Sequence, residues 1–242
     1  MTQSEFILAC RSSFERNGLD CNDVQAEQLY KLTEQMLSVN KTMNLTAITE
    51  ENAIILRHYV DSLMISQWIP EGSFLIDVGC GAGFPSLPLA IFRPDLRIVS
   101  LDGTAKRIRY VEETAALLGI QNITAIAGRA EEYGVKAGYR ESFDVATARA
   151  VANLRMLGEL CIPFVKLGGS MISMKSQQAE EELAEAKNCI AQCGGKLSEI
   201  KSCNLIDSSR NTEERKLIVI KKAKPTPEIY PRHFSKISKK PL

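Results

Sequence analysis

The sequence predicts an α/β fold, with a mostly parallel seven-stranded sheet flanked by helices and preceded by an N-terminal helical layer. Three observations predict it. The run Phe74-Leu75-Ile76-Asp77-Val78 leads into Gly79-Cys80-Gly81-Ala82-Gly83-Phe84-Pro85, and an apolar, branched run stopped by glycine is a buried strand entering a tight turn. From Phe74 onward, short apolar runs alternate with segments of helical spacing, the pattern of parallel strands joined by crossover helices. The last two apolar runs, residues 196–205 and 215–221, are separated only by a polar turn. That gap is too short for a crossover helix, so the two runs close the sheet as an antiparallel hairpin.

The elements follow in order. Residues 1–17 read as a helix, with Thr2 and Glu5 at capping-box spacing, and Asn22 and Gln25 repeat the signal before a longer helix carrying Leu29, Leu32 and Met36 on one face. A third helix begins near Glu50, carries Ile54, Tyr59 and Leu63, and stops before Pro70. Within it Arg57 and Asp61, like His58 and Ser62, stand four apart, and an internal ion pair between Arg57 and Asp61 is expected. Residues 1–70 are short for a core of their own, so they are expected to be an extension packed on a core domain of residues 71–224. That domain continues with a strand at 97–102, a helix at 104–118, strands at 122–127 and 143–148, and a helix at 153–164. Gly168-Gly169 then reads as a break before a fifth strand at 170–175, and a charged helix at 177–193 precedes the hairpin. Residues 225–242 read as an extended, weakly structured basic tail.

Composition narrows the function classes. Hydrophobic residues make up 45% of the chain, enough for a core, yet no run of about eighteen apolar residues exists, so no membrane span is expected. The first ten residues carry neither a basic start nor a cleavage site, so secretion is not expected. Seven scattered cysteines without a Cys-x-x-Cys pair, and only two histidines, point to a reduced, cytoplasmic protein without a metal site. A monomer is expected. Charge is uneven: residues 1–70 hold five Lys/Arg against nine Asp/Glu, whereas residues 221–242 hold seven against Glu228 alone. The basic end is suited to a polyanion, or equally to plain solubility.

Glycine spacing selects the ligand. A dinucleotide loop needs glycines at its first, third and sixth positions, whereas here they fall at 79, 81 and 83, and no Gly-Lys-Ser/Thr follows. Glycines at alternate positions after an acid, Asp77, resemble the S-adenosylmethionine loop of Rossmann-like class I methyltransferases. The next strand ends in Asp102, nineteen residues after Gly83, where a carboxylate accepts hydrogen bonds from ribose hydroxyls. Gly79, Gly81, Gly83 and Asp102 are therefore candidate cofactor residues.

The end of the fourth strand limits the chemistry. Asp144-Val145-Ala146-Thr147-Ala148-Arg149-Ala150 lacks the Asp/Asn-Pro-Pro-aromatic loop that goes with amine methylation. Methylation of a pyrimidine carbon needs a cysteine nucleophile, and Cys161 lies in an apolar helical stretch. An acceptor with a free lone pair, such as guanine N7, needs no proton removed beforehand. Catalysis is then positioning, a term worth about 7–11 kcal/mol, and no catalytic side chain is assigned. Arg149 has the best placed side chain, at the carboxyl end of its strand. Arg57, His58, Arg129 and Lys175 are substrate-side candidates, though spacing favours an internal pair within the helix for the first two, and a solvated strand end stays open for Lys175.

With these residues assembled, the chain resembles the bacterial 16S rRNA guanine-N7 methyltransferases, the RsmG or GidB family, from about Lys41 to its end. The carrying motifs are Asn44-Leu45-Thr46, Arg57-His58 with Asp61-Ser62, the loop from Asp77 to Pro85, Leu101-Asp102 with Lys106-Arg107, Arg129-Ala130-Glu131, Arg149-Ala150, and Tyr230-Pro231-Arg232 with Lys239-Lys240-Pro241-Leu242. The resemblance implies methylation of a guanine in the 530 loop of 16S rRNA, in the free RNA or the small ribosomal subunit, with S-adenosylmethionine as donor. It implies cofactor contacts at Gly79, Phe84, Asp102, Ala130, Glu131 and Arg149. The chain departs from the family pattern at Ser86, Gly103, Ser176 and Ser235-Lys236-Ile237. The competing readings are a methyltransferase of a small molecule or protein and a non-catalytic ribosome-assembly factor. Deleting residues 225–242 is expected to weaken RNA binding and leave cofactor binding intact.

Overall fold

The computed structural model describes residues 1–149, 151–175 and 178–242. The expected motif residues Ala150 and Ser176, and the expected helix start at Gln177, lie outside the described residues. The sheet holds β1 (Phe74–Val78), β2 (Arg97–Asp102), β3 (Ile123–Ala127), β4 (Phe143–Arg149), β5 (Val165–Lys175), β6 (Gly195–Ile206) and β7 (Thr212–Lys222). Their order is β3-β2-β1-β4-β5-β7-β6. The first five run parallel, and β7 is antiparallel to both β5 and β6, so the closing hairpin forms as its short connection requires. The chain leaves β1 toward β2 on one side and reaches β4 on the other. A crevice therefore opens at their carboxyl ends, the place where open α/β sheets bind ligands.

Helices α1 (Gln3–Arg16) and α2 (Asp23–Met43) both carry the predicted capping boxes, Thr2 with Glu5 and Asn22 with Gln25. One hydrophobic cluster runs from Phe6 and Leu29 through Tyr59 to Leu75 and Leu87, so the N-terminal helices share a core with one sheet face. On that face also lie α5 (Ser86–Phe92) and α6 (Ala105–Leu117). The other face is covered by α7 (Ala130–Tyr133), α8 (Leu154–Cys161), α9 (Ala179–Gln192) and α10 (Phe234–Lys239).

Three expectations are corrected. The third helix is not uniform: α3 (Glu51–Ile54) passes into a π-helical turn, Ile55–Val60, and then α4 (Asp61–Leu63). A π turn inserts an extra residue into the helical repeat, and the expected Arg57–Asp61 pair does not form. Arg57 instead pairs with Glu213 on β7, its Nε 3.0 Å from the carboxylate, while Ser62 donates to the His58 carbonyl. Gly168-Gly169 does not precede the fifth strand but lies within it, beside a register shift in its pairing with β4. A Cβ at Gly169 would stand 2.6 Å from the Asp144 carbonyl, so close strand approach accounts for that glycine. Finally, the C-terminal segment is folded. Arg140 holds the carbonyls of Thr226 and Tyr230, Arg155 holds those of Pro241 and Leu242, and Arg232 binds the fully buried Glu159. Carbonyl capping of this kind leaves no sequence period for pattern reading to detect.

Candidate active site

The site begins with the loop after β1. Gly79, Gly81 and Gly83 all have positive φ, at 77°, 57° and 82°, a region costly for any residue with a Cβ. Each serves a different end. A Cβ at Gly79 would lie 2.6 Å from Val151, and one at Gly83 2.5 Å from Leu87, whereas one at Gly81 would meet nothing within 4 Å among the described residues. The loop is fastened to β2: Gly79 and Cys80 donate to the Leu101 carbonyl, and Gly81 donates to Asp102 Oδ2 at 3.0 Å. Asp102 Oδ1 accepts from Thr104 N at 2.8 Å.

Beneath the loop, Asp77 is fully buried. Its Oδ2 accepts from the Ser86 amide at 3.2 Å and from the Ser86 hydroxyl, while Oδ1 has no partner among the described residues. Burial drives its pKa up to about 7, against the Ser86 hydrogen bonds and the Arg149 charge, which lower it. Ser86 therefore supplies the buried acid with a hydroxyl that a glycine there would not.

Two cavities meet at Gly79, Asp102 and Val151. One, of about 280 Å³, lies over the ends of β2 and β3 and has Ala130, Glu131, Met156, Leu160 and Phe234 in its walls. The other, of about 380 Å³, lies against the glycine loop and is walled by His58, Gly81, Phe84, Arg107 and Arg149. Together they form one elongated cleft with the Asp102 carboxylate at its waist.

Arg149 ends β4 inside this cleft. Its Nη1 donates to Asp61 at 3.1 Å and to the Arg57 carbonyl at 3.0 Å, and its guanidinium lies 5.4 Å from the Phe84 ring centre. Burial lowers its pKa and the carboxylates of Asp61 and Asp77 raise it, so a cation starting so high stays charged. His58 stacks on Phe84 beside Arg149, its ring 4.5 Å from the Phe84 ring and nearly parallel. Burial first, and Arg149 second, push its pKa down to about 3, so the imidazole is neutral. Nδ1 faces Arg149 Nη2 at 3.5 Å, a donor, so Nδ1 accepts and the Nε2–H points to Thr46 Oγ1 at 2.9 Å.

The candidates named from sequence thus separate. Gly79, Gly81, Phe84, Asp102, Ala130, Glu131, Arg149, His58 and Arg129 all line the cleft. Gly83 packs under the loop against Leu87 and lines neither cavity. Arg57 is engaged with Glu213, outside the cleft. Lys175 is held by Glu182 at 2.8 Å and by the Ala152 carbonyl at 2.6 Å, where it braces the segment that carries Val151. Cys161 is buried in the core, which raises its thiol pKa. Asp61, singled out in the sequence as a motif residue and a partner for Arg57, instead holds Arg149, while Val151, Met156 and Phe234 complete the site without any local sequence signal for that role.

An aromatic-walled pocket, a carboxylate at the waist and a bare glycine loop beside a fixed cation fit a nucleoside with an amino-acid tail. A family model described as GidB, rRNA small subunit methyltransferase G, matches residues 25–217. A protein named ribosomal RNA small subunit methyltransferase G from Lachnoclostridium phytofermentans is 44% identical over 241 residues, covering 99% of this chain and 97% of its own length. One of the same name from Leuconostoc citreum is 40% identical over 246 residues, the full length of both. Among solved structures, a SAM-dependent methyltransferase from Methanosarcina mazei has a TM-score of 0.52 at 16% identity, over 66% of this chain and 97% of that one. TYW2 of M. jannaschii, solved in complex with AdoMet, has a TM-score of 0.50 at 14% identity, over 63% and 70%. These two share the fold, which is that of the Rossmann-like class I methyltransferases. The sequence match over its whole length places the chain in the GidB family, rRNA small subunit methyltransferase G.

Proposed function

We propose that this chain methylates N7 of a guanine in the 530 loop of 16S rRNA, as a cytoplasmic monomer acting on the RNA or the small ribosomal subunit. The observation that carries the reading is the elongated cleft with Asp102 at its waist, in a chain of this family. When bound, S-adenosylmethionine supplies an electrophilic methyl group on a sulfonium. A carboxylate offers about four lone-pair positions, and Gly81 and Thr104 occupy one on each oxygen of Asp102. Arg107 Nη1 stands 3.9 Å from Oδ2, beyond hydrogen-bond length, and the remaining positions accept from the two ribose hydroxyls. Ala130 and Glu131 border the nucleoside end, and Gly79 and Gly81 expose main chain at the other. Arg149, held by Asp61, presents a fixed positive charge there.

No side chain is required as a base. Guanine N7 presents its lone pair outward, and the neutral His58 is tied to Thr46 and Arg149. The protein's contribution is alignment, the term worth about 7–11 kcal/mol. Arg107 and Arg129 at the cleft mouth serve phosphates or the base edge. Guanine methylated at N7 becomes cationic and labile to reductive strand cleavage, which provides the test. Undermethylated small subunits, incubated with this chain and labelled S-adenosylmethionine, are expected to gain label at one guanine and a single cleavage site. Label on an exocyclic amine, a carbon or a protein would contradict the reading.

A further inference from the structure

The C-terminal segment, read from sequence as a tail for RNA, reaches the other ligand. Phe234, the first residue of α10, is half-buried in the wall of the cavity beyond Asp102. The Arg129 guanidinium lies 5.4 Å from its ring centre, a cation–π distance. The Arg129 stem also passes over Gly103, where a Cβ would come within 3.4 Å of Cδ. Arg129 is thus held between the residue after Asp102 and the aromatic ring of the tail.

The tail is fixed in place on both sides of Phe234. Arg232 donates to Glu159 three times, from its backbone at 2.8 Å and from Nε and Nη2 at 2.8 and 2.6 Å. Pro231 packs where a Cβ on Gly134 would stand 3.1 Å from it, so the segment lies against the end of α7, the helix that presents Ala130 and Glu131. Beyond it, Ile237 is fully buried. These anchors set Phe234 on the same cavity as the candidate nucleoside contacts.

We infer that Phe234 is a cofactor-binding residue: the C-terminal segment is a strap that completes the nucleoside pocket, with its ring packed against the adenine. The inference rests on the proposed cofactor and adds a contact from an element outside the parallel core. Packing a base on an aromatic side chain changes affinity by about tenfold when that side chain is cut back to alanine, so the change is large enough to measure.

The test is titration calorimetry of S-adenosylmethionine with the full-length chain and its Phe234→Ala and Phe234→Tyr variants, each first shown to unfold at the wild-type urea midpoint. Phe234→Ala is expected to raise the dissociation constant about tenfold, and Phe234→Tyr to stay within about twofold of wild type. If the alanine chain does not fold, Phe234→Leu takes its place, and a loss of the same sign is expected because the flat aromatic face is gone. Wild-type binding with an unchanged constant in the alanine or leucine chain overturns the inference and leaves the proposed function standing. A wild-type chain that takes up no S-adenosylmethionine overturns both.

Discussion

Arg149, at the end of β4, and Asp61, in the N-terminal layer, form an ion pair 3.1 Å long that joins the cleft to the helices packed behind it. The same carboxylate binds Arg215 of β7 at 3.0 Å, and Arg215 in turn binds Glu213, the partner of Arg57. One acid therefore fixes two guanidiniums, and the chain of charges connects the closing hairpin to the candidate amino-acid end of the cleft. Asp61→Ala leaves both cations facing each other with little solvent. Breaking a buried pair typically costs about 3–5 kcal/mol, and urea denaturation is expected to show a loss near the lower figure, with weaker S-adenosylmethionine binding by calorimetry. A stability within about 0.5 kcal/mol of wild type would show that the pair does not hold this corner together.

The glycine loop predicts a graded pair of substitutions. Alanine at Gly81 incurs the backbone strain of a positive φ and meets nothing else among the described residues, so it is expected to cost about 1 kcal/mol. Alanine at Gly79 incurs the same strain and also drives a methyl group to 2.6 Å from Val151, and is expected to cost more than Gly81→Ala. Adding Val151→Ala to the Gly79 variant should recover the steric part and leave the strain. Equal losses at the two positions would contradict the assignment.

Two buried groups give stability opposite dependences on pH. Asp77 has its pKa raised from 3.8 to about 7. Between those values the folded chain keeps a proton that the unfolded chain releases, so stability present below about pH 4 is lost as pH rises toward about 7. His58 has its pKa lowered from 6.5 to about 3. Between those values the unfolded chain takes up the proton, so stability present above about pH 6.5 is lost as pH falls toward about 3. Asp77→Asn is expected to remove the decline on the alkaline side, and His58→Gln the decline on the acid side, in urea midpoints measured across this range. Profiles parallel to wild type would show that neither group titrates in this way.

Arg232 and Glu159 provide a test of the folded tail. Glu159 is fully buried and its acceptors are filled by Arg232. Arg232→Met removes both guanidinium bonds and, among the described residues, leaves that buried carboxylate only the backbone N–H of residue 232, at an expected cost of about 3 kcal/mol. Replacing Glu159 by Gln as well should recover part of the loss, because a neutral amide is less costly to bury than an unpaired charge. A double-mutant cycle with no coupling would show that the tail is not anchored there.

Sequence reading recovered the parts of this fold that leave a periodic or stereochemical trace. The β1 run, its three glycines and Asp102 are local patterns, and the hairpin follows from a connection too short to hold a helix. Both capping boxes were readable because each needs two residues at fixed spacing. The π turn at Ile55–Val60 was not readable, since its composition is that of the flanking α-helix and only tertiary packing selects the longer repeat. Gly168-Gly169 signalled a break because glycine permits turns, and nothing local reveals a neighbouring strand pressed against its backbone. The roles of Arg57 and Lys175 depended on partners at Glu213 and Glu182, contacts that only the folded chain brings together. Phe234 lies far along the chain from Asp102, and no spacing rule connects them.

The most direct measurement is calorimetric titration of S-adenosylmethionine into the wild-type chain and into Asp102→Ala. If the cleft holds a nucleoside at its waist through that carboxylate, the wild type binds and the variant loses at least about tenfold in affinity, as expected for charge-assisted hydrogen bonds of about 1.5–3 kcal/mol. No heat from S-adenosylmethionine, with tight binding of a nicotinamide dinucleotide or a nucleoside triphosphate instead, would contradict the account at its base.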